Sequence, residues 1–179
     1  RQEIGVSALL ASTTAFLSAA IAWPVARHLR WKRRSGRPLF VLCALLASTP
    51  GPIVGLALIT LVNQPSVPGL TWLYDRTLLA PLLAHLWRAL PWSCLIAWSA
   101  CRTVPDELVD RAQLAGWRTL ASLRWIVLPG QRGLFTMSLA LPFFISWGDV
   151  AGSILVMPPG DAPLLIRVFG LLHYGVEDE

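Results

Sequence analysis

The chain alternates long apolar runs with short clusters of charge. Residues 4–26 and 38–62 contain no Asp, Glu, Lys or Arg. Residues 77–101 carry a single formal charge, Arg88, and 133–157 a single one, Asp149. The apolar residues are continuous and show no alternation of period two, so barrel strands are excluded and helices predicted. A helix needs about 20 residues to cross the hydrocarbon core. The pattern therefore predicts four spans, at 4–26, 38–62, 77–101 and 133–157, in one all-α, polytopic transmembrane bundle. A shorter mixed segment, 162–175, predicts a helix lying on the outer surface.

The runs carry their own punctuation. Pro24 follows Trp23, an interfacial residue by preference, and predicts the end of the first span there. Pro50, Gly51 and Pro52 interrupt the second run. Such a break frees backbone groups that lipid cannot satisfy, so it predicts a segment facing other helices or lining a path. The third run holds His85, Arg88 and Pro91. A charge inside a span is costly and faces the bundle or a watery route. Arg88 lies about 20 Å from the inner end of its span, and Asp149 about 24 Å from that of the fourth. Similar depth and opposite charge predict that they pair. Gly148 and Gly152 flank the place where the fourth span can bend.

Charge changes the picture mainly through its placement. Charged residues make up 14% of the chain, against about 25% for a soluble domain. The net charge of +5 is concentrated in loops. The densest run is Arg27, His28, Arg30, Lys32, Arg33, Arg34 and Arg37. Short loops rich in Lys and Arg stay on the cytoplasmic side, which puts the N-terminus outside and makes 102–132 cytoplasmic as well. Residues 63–75, with Trp72 and Tyr74, read as an outer loop, and 157–161 as an outer turn. Cys43, Cys94 and Cys101 form no CxxC pair and read as small buried residues. The chain opens on Arg1, which reads as a fragment of a longer protein.

The cytoplasmic segment 102–132 carries the most informative pattern. Pro105, Asp106 and Glu107 read as a helix start, with proline in the first turn and acids at its positive end. Gly116 permits a sharp turn between two short helices. Pro129 closes the second one before the next span. Leu108, Ala112 and Ala115 recur at helical spacing and predict a small apolar face that fits a groove.

Asp110, Arg111, Ala112 and Gly116, then nine residues, then Ile126, Leu128 and Pro129, resemble the signature of binding-protein-dependent ABC importer permeases of the MetI-like family. Two positions depart from it, with Asp110 in place of Glu and Arg111 in place of Ala. The segments 147–160 and 166–175 resemble the ferric-iron-type branch, which would make this an iron transport permease. The resemblance covers most of residues 4–179. It implies a MetI-like fold with a last span expected beyond Glu179. It implies ATPase coupling through Glu107, Asp110, Arg111, Ala112, Gly116, Ile126, Leu128 and Pro129. It also implies three partners in a prokaryotic inner membrane: a cytoplasmic ABC ATPase, an extracytoplasmic solute-binding protein, and a second permease half that is identical or different. The candidate pathway residues are Pro50, Gly51, Pro52, Arg88 and Asp149.

The chain holds no phosphate-binding G-x-x-x-x-G-K-[ST] loop, so ATP hydrolysis would belong to a separate subunit. No nucleophile, metal-ligand or paired-carboxylate constellation points to an enzyme, and no cofactor is expected. No basic-aromatic motif points to nucleic acid. The alternative is a secondary transporter or channel driven by an ion gradient, with Arg88 and Asp149 as its ion site. The transported solute is not legible.

Overall fold

The computed structural model describes residues 2–32, 35–62, 77–157 and 164–174. Among these residues the regular structure is helical, with no strand. The expected outer loop 63–75, most of the expected turn at 157–161 and the acidic end 177–179 lie outside the described residues.

Helix α1 (Gln2–Trp31) is 30 residues long. At about 1.5 Å per residue it reaches about 45 Å, well beyond the roughly 30 Å hydrocarbon core. The first span was expected to end near Trp23 and Pro24. Instead the helix runs through both and includes Arg27, His28 and Arg30. Proline inside a helix is tolerated where neighbouring helices support the freed carbonyl. Trp23 turns into the bundle. It is 2% exposed, meets Phe135 edge-on at 5.6 Å and donates from Nε1 to Ser138 Oγ at 2.9 Å. Its indole N–H finds a partner inside the bundle, which removes the usual reason for it to seek water.

The second run is two helices, α2 (Arg37–Ser48) and α3 (Gly51–Val62), bent by 90°. The break expected at Pro50 is therefore present, and the run does not cross as one straight span. Helix α4 (Leu79–Arg102) is continuous through Pro91. The charged segment forms α5 (Asp106–Leu114), α6 (Thr119–Ser122), a π-helical turn (Leu123–Val127) and α7 (Leu128–Gly130). The fourth run is also divided. Helix α8 (Arg132–Trp147) stops at Gly148, and α9 (Val150–Val156) starts after Asp149. Helix α10 (Leu164–Tyr174) is the short final helix that the sequence predicts. Two helices, α1 and α4, are each long and apolar enough to cross a membrane, and the bent pair makes up to three.

The centre is a three-helix bundle of α1, α4 and α8, with α2 packed on α4, and α3 packed on α9 and α4. Small residues make this possible. Ala11, Ala15, Ala19, Ala22 and Ala26 form a buried stripe on α1, facing a set on α4 that includes Ala97 and Ala100. In lipid, helices gain nothing from hiding apolar surface from one another, so close backbone approach and dispersion hold them. Buried hydroxyls add to it. Ser93 Oγ lies 3.1 Å from both Ser18 Oγ and the Ser138 carbonyl, joining α4 to α1 and α8. Gly55 on α3 sits where an added Cβ would lie 3.1 Å from Leu155 Cβ on α9, so glycine sets that approach. Cys43, Cys94 and Cys101 are buried and free, as their surroundings predict.

Candidate functional site

Two polar regions are built into this bundle. One joins the charged segment to the end of α1, and the other lies where the fourth run breaks.

In the first, Gly116 has φ +72°. Its N–H donates to the Gln113 carbonyl at 2.9 Å, and the Trp117 N–H reaches back to the Ala112 carbonyl at 2.9 Å. This paired closure is a Schellman cap, which needs a left-handed residue at the first position past the helix cap. The spacing from Ala112 to Gly116 is therefore the spacing of a helix end. Past the bend, the π turn lies just ahead of Pro129. A proline ring presses on the carbonyl four residues back, and a wider turn relieves that contact.

The exposed face differs from the one expected. Ala112 is 6% exposed and Val109 1%, and both turn into the protein. Leu108 and Ala115 are exposed as predicted, and Gly116 is exposed beside them. Leu114, Trp117, Leu120 and Trp125 are also exposed, Leu114 at 89%, and the spacing argument missed them. Trp117, Arg118 and Ala121 line two adjoining grooves, the larger about 670 Å³, floored by Trp31 and Leu120 on one side and by Gly116 and Trp125 on the other. Glu107, Arg111 and Pro129 are exposed, and Asp110, Ile126 and Leu128 half-buried.

The segment is tied to α1 by residues that the sequence reading took only as a topology signal. Arg27 is fully buried. Its Nε donates to Ser122 Oγ at 2.7 Å, its Nη2 donates to the same oxygen, and its guanidinium lies 4.5 Å from the Trp31 ring centre. Arg30 pairs with Asp106 and donates to the Val104 carbonyl. Gln113 Nε2 donates to the Trp31 carbonyl at 3.1 Å. Three successive contacts thus connect α1 to both arms of the bend.

In the second region, Arg88 Nη1 lies 3.5 Å from Asp149 Oδ1, so the pair predicted from depth alone is formed. Asp149 is also the N-cap of α9, accepting at Oδ1 from the Gly152 N–H at 3.1 Å. Its Oδ2 is buried with no hydrogen-bond partner among the described residues. His85, 3% exposed, bridges Ser146 Oγ at 2.5 Å through Nδ1 and Ser153 Oγ at 2.6 Å through Nε2. Ser153 Oγ donates its one proton to the Asp149 carbonyl at 2.6 Å. It must then accept from His85, which places a proton on Nε2. In neutral histidine, Nδ1 then accepts from Ser146. His85, Asp149, Ser146, Ser153 and Ser7 line a closed space of about 10 Å³, which is room on the order of one water. Arg88 also opens, with Trp92, Ala47, Leu141 and Ile145, on a lateral cavity of about 350 Å³. Among the described residues no group of His, Cys, Asp and Glu is placed to hold a metal ion.

No protein-family model and no curated protein matches the chain.

Sequence reasoning had Arg88 and Asp149 in hand but not their neighbours. His85 was noted only as a residue in a span, and Ser146 and Ser153 were missed. The available signal was a spacing. His85 precedes Arg88 by three residues, and Ser153 follows Asp149 by four, so each polar partner shares a helix face with its charged one. The Pro50, Gly51 and Pro52 break does not join this cluster. Gly51 is buried and Pro50 and Pro52 are exposed at the bend between α2 and α3.

Proposed function

We propose that this chain is the membrane permease of an ATP-driven importer of the MetI-like kind, coupled to a separate ATPase through residues 106–130. The single observation that carries the reading is the capped bend at Gly116 at the motif's own spacing, with exposed Leu114, Trp117 and Leu120 around it. Monomeric soluble surfaces rarely leave such side chains together without a partner. An apolar, bent helix pair is a shape that a groove on another subunit can grip. The contacts from Arg27, Arg30 and Trp31 to the same segment supply a rigid route from that grip into α1. A push on the bend is then a push on the bundle. A second permease half, a solute-binding protein and a prokaryotic inner membrane complete the proposal. The path would run past Arg88 and its lateral cavity, beside the broken runs. The ferric-iron-type likeness makes iron the first solute to try.

A specific observation favours a second reading. His85, Asp149 and Arg88 form a buried, partly unsatisfied polar cluster of the kind used for ion coupling. In that reading transport runs on an ion gradient without an ATPase.

The deciding experiment reconstitutes the intact permease with candidate ATPase subunits from the same source and measures complex formation and ATP hydrolysis. The wild type is expected to bind one of them, and Gly116→Trp to abolish binding or its coupling to transport. Transport that persists without any bound ATPase, and collapses with an uncoupler, would establish the ion-driven reading instead.

A further inference from the structure

Arg30, Arg37 and Arg102 come from three different helices, α1, α2 and α4, and all line one cavity of about 800 Å³. Ser35, Gly36, Phe40, Val41, Trp98 and Asp106 complete its wall. Its size lies within the roughly 300–1,000 Å³ range of small-molecule sites.

The charges do not cancel. Three guanidinium groups face one carboxylate, Asp106, and that carboxylate is paired with Arg30. Neither Arg37 nor Arg102 has an ion-pair partner among the described residues. Arg30 Nε is buried and has no acceptor among the described residues. The first turn of α2 adds the positive end of a helix, with Gly36 at its cap. Gly36 is held against the Trp98 ring so closely that an added Cβ would lie 2.3 Å from it, so the opening of α2 is packed onto α4 at this spot. Guanidinium groups in such numbers select a doubly hydrogen-bonding oxyanion, above all a phosphate.

The rest of the wall says where the phosphate comes from. Phe40 and Val41 are 60% and 56% exposed and belong to an uncharged membrane run. They give the cavity an apolar rim on the side where acyl chains lie. Basic residues just beyond a membrane helix attract anionic lipids. We propose that this cavity is a binding site for the phosphate headgroup of an anionic phospholipid, its acyl chains lying along Phe40 and Val41. The site requires only that the chain lie in a membrane, and it stands whether or not an ATPase couples to the bend. Because Asp106 and Arg30 belong to both places, a bound phosphate also sits at the start of α5.

Native mass spectrometry of the intact protein tests this, with release from nanodiscs of equimolar phosphatidylglycerol and phosphatidylcholine. The wild type is expected to retain phosphatidylglycerol preferentially. Arg37→Gln with Arg102→Gln is expected to lower that retention about tenfold or more. Arg124→Gln with Arg132→Gln removes equal charge outside the cavity and is expected to leave retention near wild type. Equal loss in both pairs would overturn the site in favour of diffuse attraction. Absence of any phosphatidylglycerol preference would overturn it outright. Displacement of the lipid by inorganic phosphate at matched concentration would overturn the lipid source and assign the cavity to a soluble anion.

Discussion

Arg27 and Arg88 lie on the two helices long and apolar enough to cross a membrane, and they are treated in opposite ways. Arg27 is fully buried, meets no carboxylate among the described residues, and rests on a serine hydroxyl and a tryptophan ring, with Nη1 left without a hydrogen-bond partner there. The side chain of Arg88 is 37% exposed, faces a cavity, and lies beside a nearly buried Asp149. A buried charge held by one hydroxyl and one ring has one arrangement, because moving it leaves it with no acceptor at all. A charge paired beside an open cavity has several, since water or a solute can replace the partner. The Arg27 region is therefore built as a fixed joint between α1 and the bent segment. The Arg88 region leaves its charge open to a cavity.

The sharpest way to break that comparison is at Ser122. Ser122→Ala removes the one oxygen that accepts from Arg27 Nε and Nη2. A buried cation left without its acceptor costs about 2–3 kcal/mol. Arg27→Met removes the charge along with the need for the acceptor, and is expected to cost less than Ser122→Ala. Equilibrium unfolding in mixed micelles gives both values. The reverse order would show that Arg27 is not a fixed joint of this kind.

Asp149 separates its two roles in the same assay. Asp149→Ala loses the cap of α9, about 1 kcal/mol. It also loses the pairing with Arg88, which contributes up to about 1 kcal/mol because Arg88 is partly solvated. Asp149→Asn keeps a capping oxygen and is expected to cost less than half as much. If the cluster carries ions, Asp149→Asn still stops gradient-driven uptake, so a stable but inactive variant would favour the second reading.

The smallest effect is expected at Gly116. An added Cβ there meets nothing within 4 Å, so the cost of Gly116→Ala comes from φ +72° alone. That is about 1 kcal/mol. A larger loss would mean that the bend is packed more tightly than its open surroundings show.

Much of this was legible from sequence. The apolar runs predicted helices, the Pro50 break predicted the bend between α2 and α3, and the depth of Arg88 and Asp149 predicted their pairing. Gly116 was legible as a turn because only glycine takes that backbone easily. Other expectations failed for identifiable reasons. Trp23 and Pro24 read as the end of a span, yet Ser138 holds the indole inside the bundle and the helix continues past both. Ala112 was expected outward by spacing, but periodicity names a face without saying which way it points.

Which segments are helical, where they break and where charge collects can be read along the chain, because those depend on neighbours within a few residues. The tertiary structure alone decided that Arg27 meets Ser122 across 95 positions, that His85 meets Ser146 and Ser153, and that three arginines from three helices share one cavity. Each of these depends on how helices rotate and lean against one another. That is set by close packing of alanine, glycine and serine along their whole length, which no local pattern specifies.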